Sequence, residues 1–239
     1  MGKNSSGYFT TTSFAAIICI AGLAIGGALQ QGTKATASAN PVKAYVSSSN
    51  GHFTHVINTE SQSWETSIGD FSPHDSWRCS RFANAVNNSG TKVFNVNACQ
   101  TNTTPAIDTS NNTFTQLPFA GTSYLFSKDD QYLYAIGGYY RTKYRLSDNS
   151  VVWSVTAPGN RPYATTYTIA ASRDDTKIYV PMQDRFQEVG VLDAATGATL
   201  TTITHSSWDY PNWSTASPVN NEIYVGTNQG IAVIDSTTN

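Results

Sequence analysis

The chain has 239 residues, of which 39% are hydrophobic, 12% aromatic and only 13% charged, with a formal charge of −2. That balance suits one globular domain and excludes a disordered chain, while the weakly negative charge excludes a surface that gathers phosphate backbones or anionic membranes.

The first element is a targeting segment over residues 1–39. Lys3 precedes an apolar run over 14–29, and a Ser, Thr and Ala-rich stretch then ends in Ala37, Ser38 and Ala39 before Asn40 and Pro41. This is the order of a secretory signal peptide cut after Ala39. The run is 16 residues long, contains Gly22, Gly26 and Gly27, and falls short of the roughly 20 residues that span a bilayer, so no stable transmembrane anchor is expected. Cys19, preceded by Ile18, does not read as a lipidated cysteine. Loss of Lys3 and Lys34 takes the formal charge from −2 to −4. The expected location is extracytoplasmic, secreted or at the cell surface, with residues 40–239 as one domain.

From residue 40 onward the chain repeats itself. "KAYV" (43–46) opens the series, followed by "NNSGTKVFN" (87–95), "SKDDQYLYA" (127–135), "SRDDTKIYV" (172–180) and "SPVNNEIYV" (217–225), the last three spaced 45 residues apart. Each is a polar turn entering a β-prone run. A second element follows each: "HVINTESQSWETSI" (55–68), "AIDTSNNTFTQL" (106–117), "YRLSDNSVVWSV" (144–155), "VGVLDAATGATLTTI" (189–203) and "IAVIDSTTN" (231–239). In these an apolar pair reaches an Asp, Asn or Ser, crosses a polar turn and re-enters a β-prone run, the pattern of a hairpin. No stretch after residue 40 sustains a 3.6-residue period, so the domain is expected to be all-β.

A unit of about 45 residues holding four short strands is the size of one β-propeller blade. With strands labelled A to D from the central channel outward, the chain is expected to hold B, C and D of a first blade, three whole blades, and A, B and C of a last one. That is about 4.5 repeats of a partial ring; because the two ends overlap in B and C, they do not complete one blade together, and either a chain truncated at its C-terminus or one that pairs with another chain is expected. An unpaired last strand invites edge-to-edge self-association.

The strings "IYV", "AIDTSNN", "VLDAATG" and "VIDSTTN" and the Ser-x-Asp-Asp turns resemble the YVTN-repeat β-propellers of secreted and cell-surface proteins, and "YRLSDNSVVWSV" and "VGVLDAATGATL" also resemble quinoprotein-type blades. The resemblance covers 42–239. It implies a propeller fold and leaves the task open, because propellers with unrelated tasks share these motifs. The WD-repeat signature is absent; the one "WD" (208–209) falls in a loop.

Cys79 and Cys99 stand ten residues to either side of a turn at Ser89 and so face each other across strands A and B. Outside the cytoplasm a disulfide is expected there, stabilising by about 3 kcal/mol. Adjacent carboxylates in "SKDD" and "SRDD" lack the alternating pattern of a calcium loop and read as turn caps. His52 and His55, with His74 and Asp75 downstream, form no strand-compatible metal cluster, since strand residues three apart face opposite ways. Neither a metal nor a cofactor is expected. The sequons at Asn87, Asn102, Asn111 and Asn212 lie in expected turns or loops and would accept glycans in a glycosylating host.

Loops from D to the next A and from B to C share one face, and the unusual side chains concentrate there. Trp77, Tyr139, Tyr140, Arg141, Arg161, Tyr163, Arg185, Phe186, Trp208, Tyr210 and Trp213 are expected to rim it. Aromatic residues with arginine are the usual anchors of recognition surfaces, although each ring also has the option of packing beneath its own loop. Three readings stay open: a module binding a protein or glycan through this face; a propeller enzyme, lactonase-like or quinoprotein dehydrogenase-like, drawing on Glu65, Asp75, Arg141, Arg161, Arg185 and Glu188; and a structural envelope component. No catalytic motif orders those candidates.

Overall fold

Every polar turn of the repeat leads into a strand. In a computed structural model of the chain the described residues are 42–47, 53–69, 84–95, 103–119, 121–137, 140–156, 168–182, 187–206, 208 and 210–239. They form eighteen strands in five antiparallel sheets, each a meander of sequence neighbours. Blade 1 holds β1 (Lys43–Ser47), β2 (Thr54–Asn58) and β3 (Ser63–Ile68). Blade 2 holds β4 (Asn84–Val86), β5 (Lys92–Asn95), β6 (Thr104–Asp108) and β7 (Thr113–Leu117). In blade 3 are β8 (Ser123–Phe126), β9 (Tyr132–Gly137), β10 (Tyr140–Arg145) and β11 (Val151–Thr156). Blade 4 comprises β12 (Ala170–Ala171), β13 (Lys177–Met182), β14 (Glu188–Asp193) and β15 (Thr199–Thr204), and blade 5 comprises β16 (Trp213–Ala216), β17 (Glu222–Thr227) and β18 (Gly230–Asp235).

The domain is an all-β propeller, as the repeat implied, and the eighteen strands fall where the A-to-D assignment put them. The expected 4.5 repeats of an incomplete ring give way to five blades. Each end sheet has three strands among the described residues, yet packs on its neighbour as a blade in its own right.

The repeat is legible in the register. Lys43, Lys92, Tyr132, Lys177 and Glu222 each begin a B strand, and two residues on stand Tyr45, Phe94, Tyr134, Tyr179 and Tyr224. The first four of these aromatics face the next blade. The core is accordingly divided among the seams: Val56 and Ile68 meet Val93 and Ile107 between blades 1 and 2; Phe94 meets Phe126 and Leu133 between 2 and 3; Tyr134 and Ile136 meet Ile178 and Leu192 between 3 and 4; and Tyr179, Val189 and Val191 meet Ile223, Val225 and Ile234 between 4 and 5. Val189 and Val191 are fully buried, whereas their counterparts on blade 5, Ile231 and Val233, are 65% and 55% exposed. Burial of these residues thus follows from having a neighbouring blade, not from the strand itself.

Three of the four described C–D pairs carry a register shift at one equivalent place, after Val56, Lys143 and Val191. Such a bulge bends the outer strand and re-aims its side chains. The pairing of β6 with β7 in blade 2 runs straight through.

Candidate functional site

The A–B and C–D turns occupy one end of the blades, and their polar side chains are consumed in holding the backbone. In "SKDD", Ser127 Oγ donates to Asp129 at 2.6 Å, and Asp129 also accepts from Gln131 N at 3.0 Å; Ser172, Asp174 and Thr176 repeat the arrangement. These bonds hold the Asp129 and Asp174 carboxyls below the usual carboxylate range, the serine hydroxyls contributing most. The second Asp has a different role. Asp130 and Asp175 adopt left-handed backbone, φ 57° and 59°, a conformation that Asp tolerates better than most residues, and this aims their carboxylates at the preceding blade. Asp130 accepts from Asn88 N at 2.7 Å, Asn88 Nδ2 at 3.0 Å and Ser89 N at 2.8 Å, and Asp175 accepts from Lys128 N at 3.1 Å. At the next seam the link is Arg173 Nη1 donating to the Val219 carbonyl at 2.9 Å.

These clasps went unseen in the sequence, where both carboxylates of each pair read as local caps. The signal was present: an Asp-Asp pair at one repeat position gives the first residue a turn to cap and the second nothing local to bind. Burial raises both clasp carboxyls, but they end in opposite states. At Asp130 the donors from Asn88 and Ser89 outweigh burial and hold it low; at Asp175 burial prevails over the single Lys128 amide, and the charge of Asp129 adds to the rise.

The opposite end carries the loops expected to form a binding face. Tyr140 opens β10 with 59% of its surface exposed, and Tyr210 is 37% exposed with φ 50°. Trp208 is partly buried against the core between blades 4 and 5, its ring centroid 5.8 Å from that of His205. Trp213 lies across β17, where a side chain at Gly226 would overlap the indole. Trp208 and Trp213 thus pack beneath or beside their own loops. Arg141 is drawn off the rim. Only 1% exposed, it donates from Nη1 to Thr199 Oγ1 of blade 4 at 3.1 Å, and burial pulls its guanidinium down to about 10. Trp77, Tyr139, Arg161, Tyr163, Arg185 and Phe186 lie outside the described residues, as do Cys79, Cys99 and Asn102.

Of the other candidates, Asn87 is buried, its amide donating to Ser89 and Thr91 and accepting from Lys92 N, whereas Asn111 is exposed and Asn212 half-buried. Glu65 pairs with Lys43 at 3.2 Å, and His55 Nδ1 lies 2.7 Å from Ser67 Oγ. Glu188 is half-buried at the start of β14, while His52, His74 and Asp75 fall outside the described residues. Among the described residues no three His, Cys, Asp or Glu side chains converge as a metal site, and no helix is long and apolar enough to cross a membrane.

No protein-family model matches the chain, and no curated protein matches it. Its fold is shared with 1113 solved chains, a breadth that carries no activity with it. Among them is a hydrazine synthase chain from Kuenenia stuttgartiensis, similar at a TM-score of 0.63 over 83% of this chain with 14% sequence identity. This chain spans 58% of that chain's length, and the likeness at such identity establishes the β-propeller architecture alone.

Proposed function

We propose that the protein is an extracytoplasmic recognition module that binds a protein or glycan partner through its D–A and B–C loop face, without turnover. The observation that supports this reading is the pair of exposed tyrosines on the loop face, Tyr140 and Tyr210. On the turn end, Asp129, Asp130, Asp174 and Asp175 are spent on backbone amides and neighbouring hydroxyls. On the loop end, Tyr140 and Tyr210 offer exposed rings on a rigid scaffold, and amphipathic aromatics of this kind supply contact area at low entropic cost. The hydrazine synthase likeness is one of fold and lends this chain no chemistry.

The test is site-specific photocrosslinking of the full chain in its own host, with a benzophenone amino acid at Tyr140 or, as control, at Trp64, which is 66% exposed on the outer strand β3. The reading expects a defined adduct from position 140 and none from 64. Equal adducts from both positions, or none from either, would sink it.

A further inference from the structure

The seam between blades 2 and 3 departs from the repeat at the positions where the other seams are locked. Between blades 1 and 2, Tyr45 Oη donates to Asn112 Oδ1 at 3.0 Å. Between blades 4 and 5, Tyr179 Oη donates to Asn239 Oδ1 at 2.7 Å, and Lys177 Nζ donates to the Ser236 carbonyl at 2.8 Å. Between blades 3 and 4, Lys143 Nζ and Trp153 Nε1 both donate to the Ala194 carbonyl, at 3.1 and 3.4 Å, and the Trp153 ring lies against Gly197. In each case a side chain of one blade reaches the C–D turn of the next.

At the equivalent place between blades 2 and 3, Phe94 has no hydroxyl to offer Asn149, which holds the position of Asn112 and Asn239. Ala106 and Thr115 stand where blade 3 has Lys143 and Trp153. Blade 2 also lacks the bulge that bends the outer strand in blades 1, 3 and 4. The result is a cleft of about 490 Å³, within the range of small-molecule pockets.

The chemistry of this cleft is mixed. Leu117 and Leu146, both half-buried, supply the apolar wall, and beneath them lie the core residues Phe126 and the fully buried Phe94, edge to face at 4.9 Å. Lys92 and Arg145 bring two cations to it. Lys92 Nζ has no hydrogen bond or ion pair to a described residue, in contrast to Lys177 at the same repeat position, and the Asn149 amide likewise has none. Arg145 makes only long contacts through Nη1, 3.4 Å each to Asp148 Oδ2 and Ser150 Oγ. The one acid in the lining, Asp130, is engaged by Asn88 and Ser89, and Asp108, whose charge Lys92 also feels, is held by Ser110.

We propose that this cleft binds a small organic carboxylate with an aromatic or alkyl body, the acid group meeting Lys92 and Arg145 beside Asn149 and the body lying on Leu117 and Leu146. A neutral ligand would leave Lys92 without a partner, and an inorganic anion would leave the apolar wall unfilled. The site lies at the turn end of the blades and is independent of the loop face.

Titration calorimetry of the full chain with naphthalene-2-carboxylate tests it, with naphthalene-2-carboxamide as the uncharged comparison. The expected result is saturable one-to-one binding of the carboxylate, about tenfold weaker for the carboxamide and about tenfold weaker for Lys92→Gln, a change at an exposed position that leaves the core untouched. Leu146→Trp, which fills the cleft, is expected to abolish binding with the thermal transition retained. Absence of carboxylate binding, equal binding of the carboxamide, or undiminished binding by Lys92→Gln overturns the proposal.

Discussion

The seams on either side of blade 3 are built on the same repeat positions and end as different objects. Toward blade 4, Tyr134, Lys143 and Trp153 fill the gap, with the Lys143 ammonium 4.2 Å from the centroid of Tyr132 and bonded to the Ala194 carbonyl. Toward blade 2, Phe94, Ala106 and Thr115 leave a cleft with a lysine beside it. In a repeat protein the backbone is nearly constant from unit to unit, so differences between seams come down to a few side-chain volumes and hydroxyls. A site is therefore best sought where one unit drops what the others keep.

The largest effect that separates the seams is expected from Trp153→Ala, which empties the filled one. It removes the ring against Gly197 and the bond to Ala194, and should cost about 3 kcal/mol in denaturant unfolding. Thr115→Ala, the equivalent change in the open seam, should cost a small fraction of that. Similar losses at both positions would erase the distinction.

Next come the clasps. Asp130→Ala leaves the Asn88 and Ser89 amides without their acceptor and should cost about 1–2 kcal/mol. Asp175→Ala loses one amide contact and should cost less. Their pH dependence should run in opposite senses. Asp130 is held below its unfolded value, so its contribution is complete above about pH 4 and drains as pH falls through the lower folded value. Asp175 is held above its unfolded value, so its ionisation costs stability, a cost absent below about pH 4 and complete once pH has risen through the raised folded value. Stability profiles of Asp130→Asn and Asp175→Asn between pH 3 and 7, each compared with the parent chain, should therefore diverge from it in opposite directions; parallel profiles would mean the clasps are alike.

The smallest effect is expected at the seam between blades 1 and 2. Tyr45→Phe deletes only the hydroxyl that reaches Asn112 and copies the residue blade 2 already has, so it should cost about 0.5–1 kcal/mol. The reciprocal change, Phe94→Tyr, should restore the missing contact to Asn149 and narrow the cleft.

Much of the fold was legible in the residues. The polar turns recur at a fixed spacing because each blade needs the same tight reversal between A and B, and the left-handed position in that turn selects Gly90, Asp130 and Asp175. The candidate sites were less legible. Arg141 reads as a rim residue because it follows a loop, but its side chain runs into the seam toward Thr199, a contact 58 residues away in sequence. Trp208 and Trp213 read as exposed anchors because aromatic residues in polar loops look unassigned, yet one packs on the core between blades 4 and 5 and the other across Gly226.

By itself the sequence determined the strand order, the turn chemistry and the apolar alternation that gives each blade two faces, since these rest on contacts within about a dozen residues of one another. Only the tertiary structure decided the number of blades, the partner of the second Asp in each turn and the position of the cleft. Those depend on what a neighbouring blade, some 40 to 60 residues distant, places opposite a given side chain, and a local pattern carries no record of its neighbour's volume.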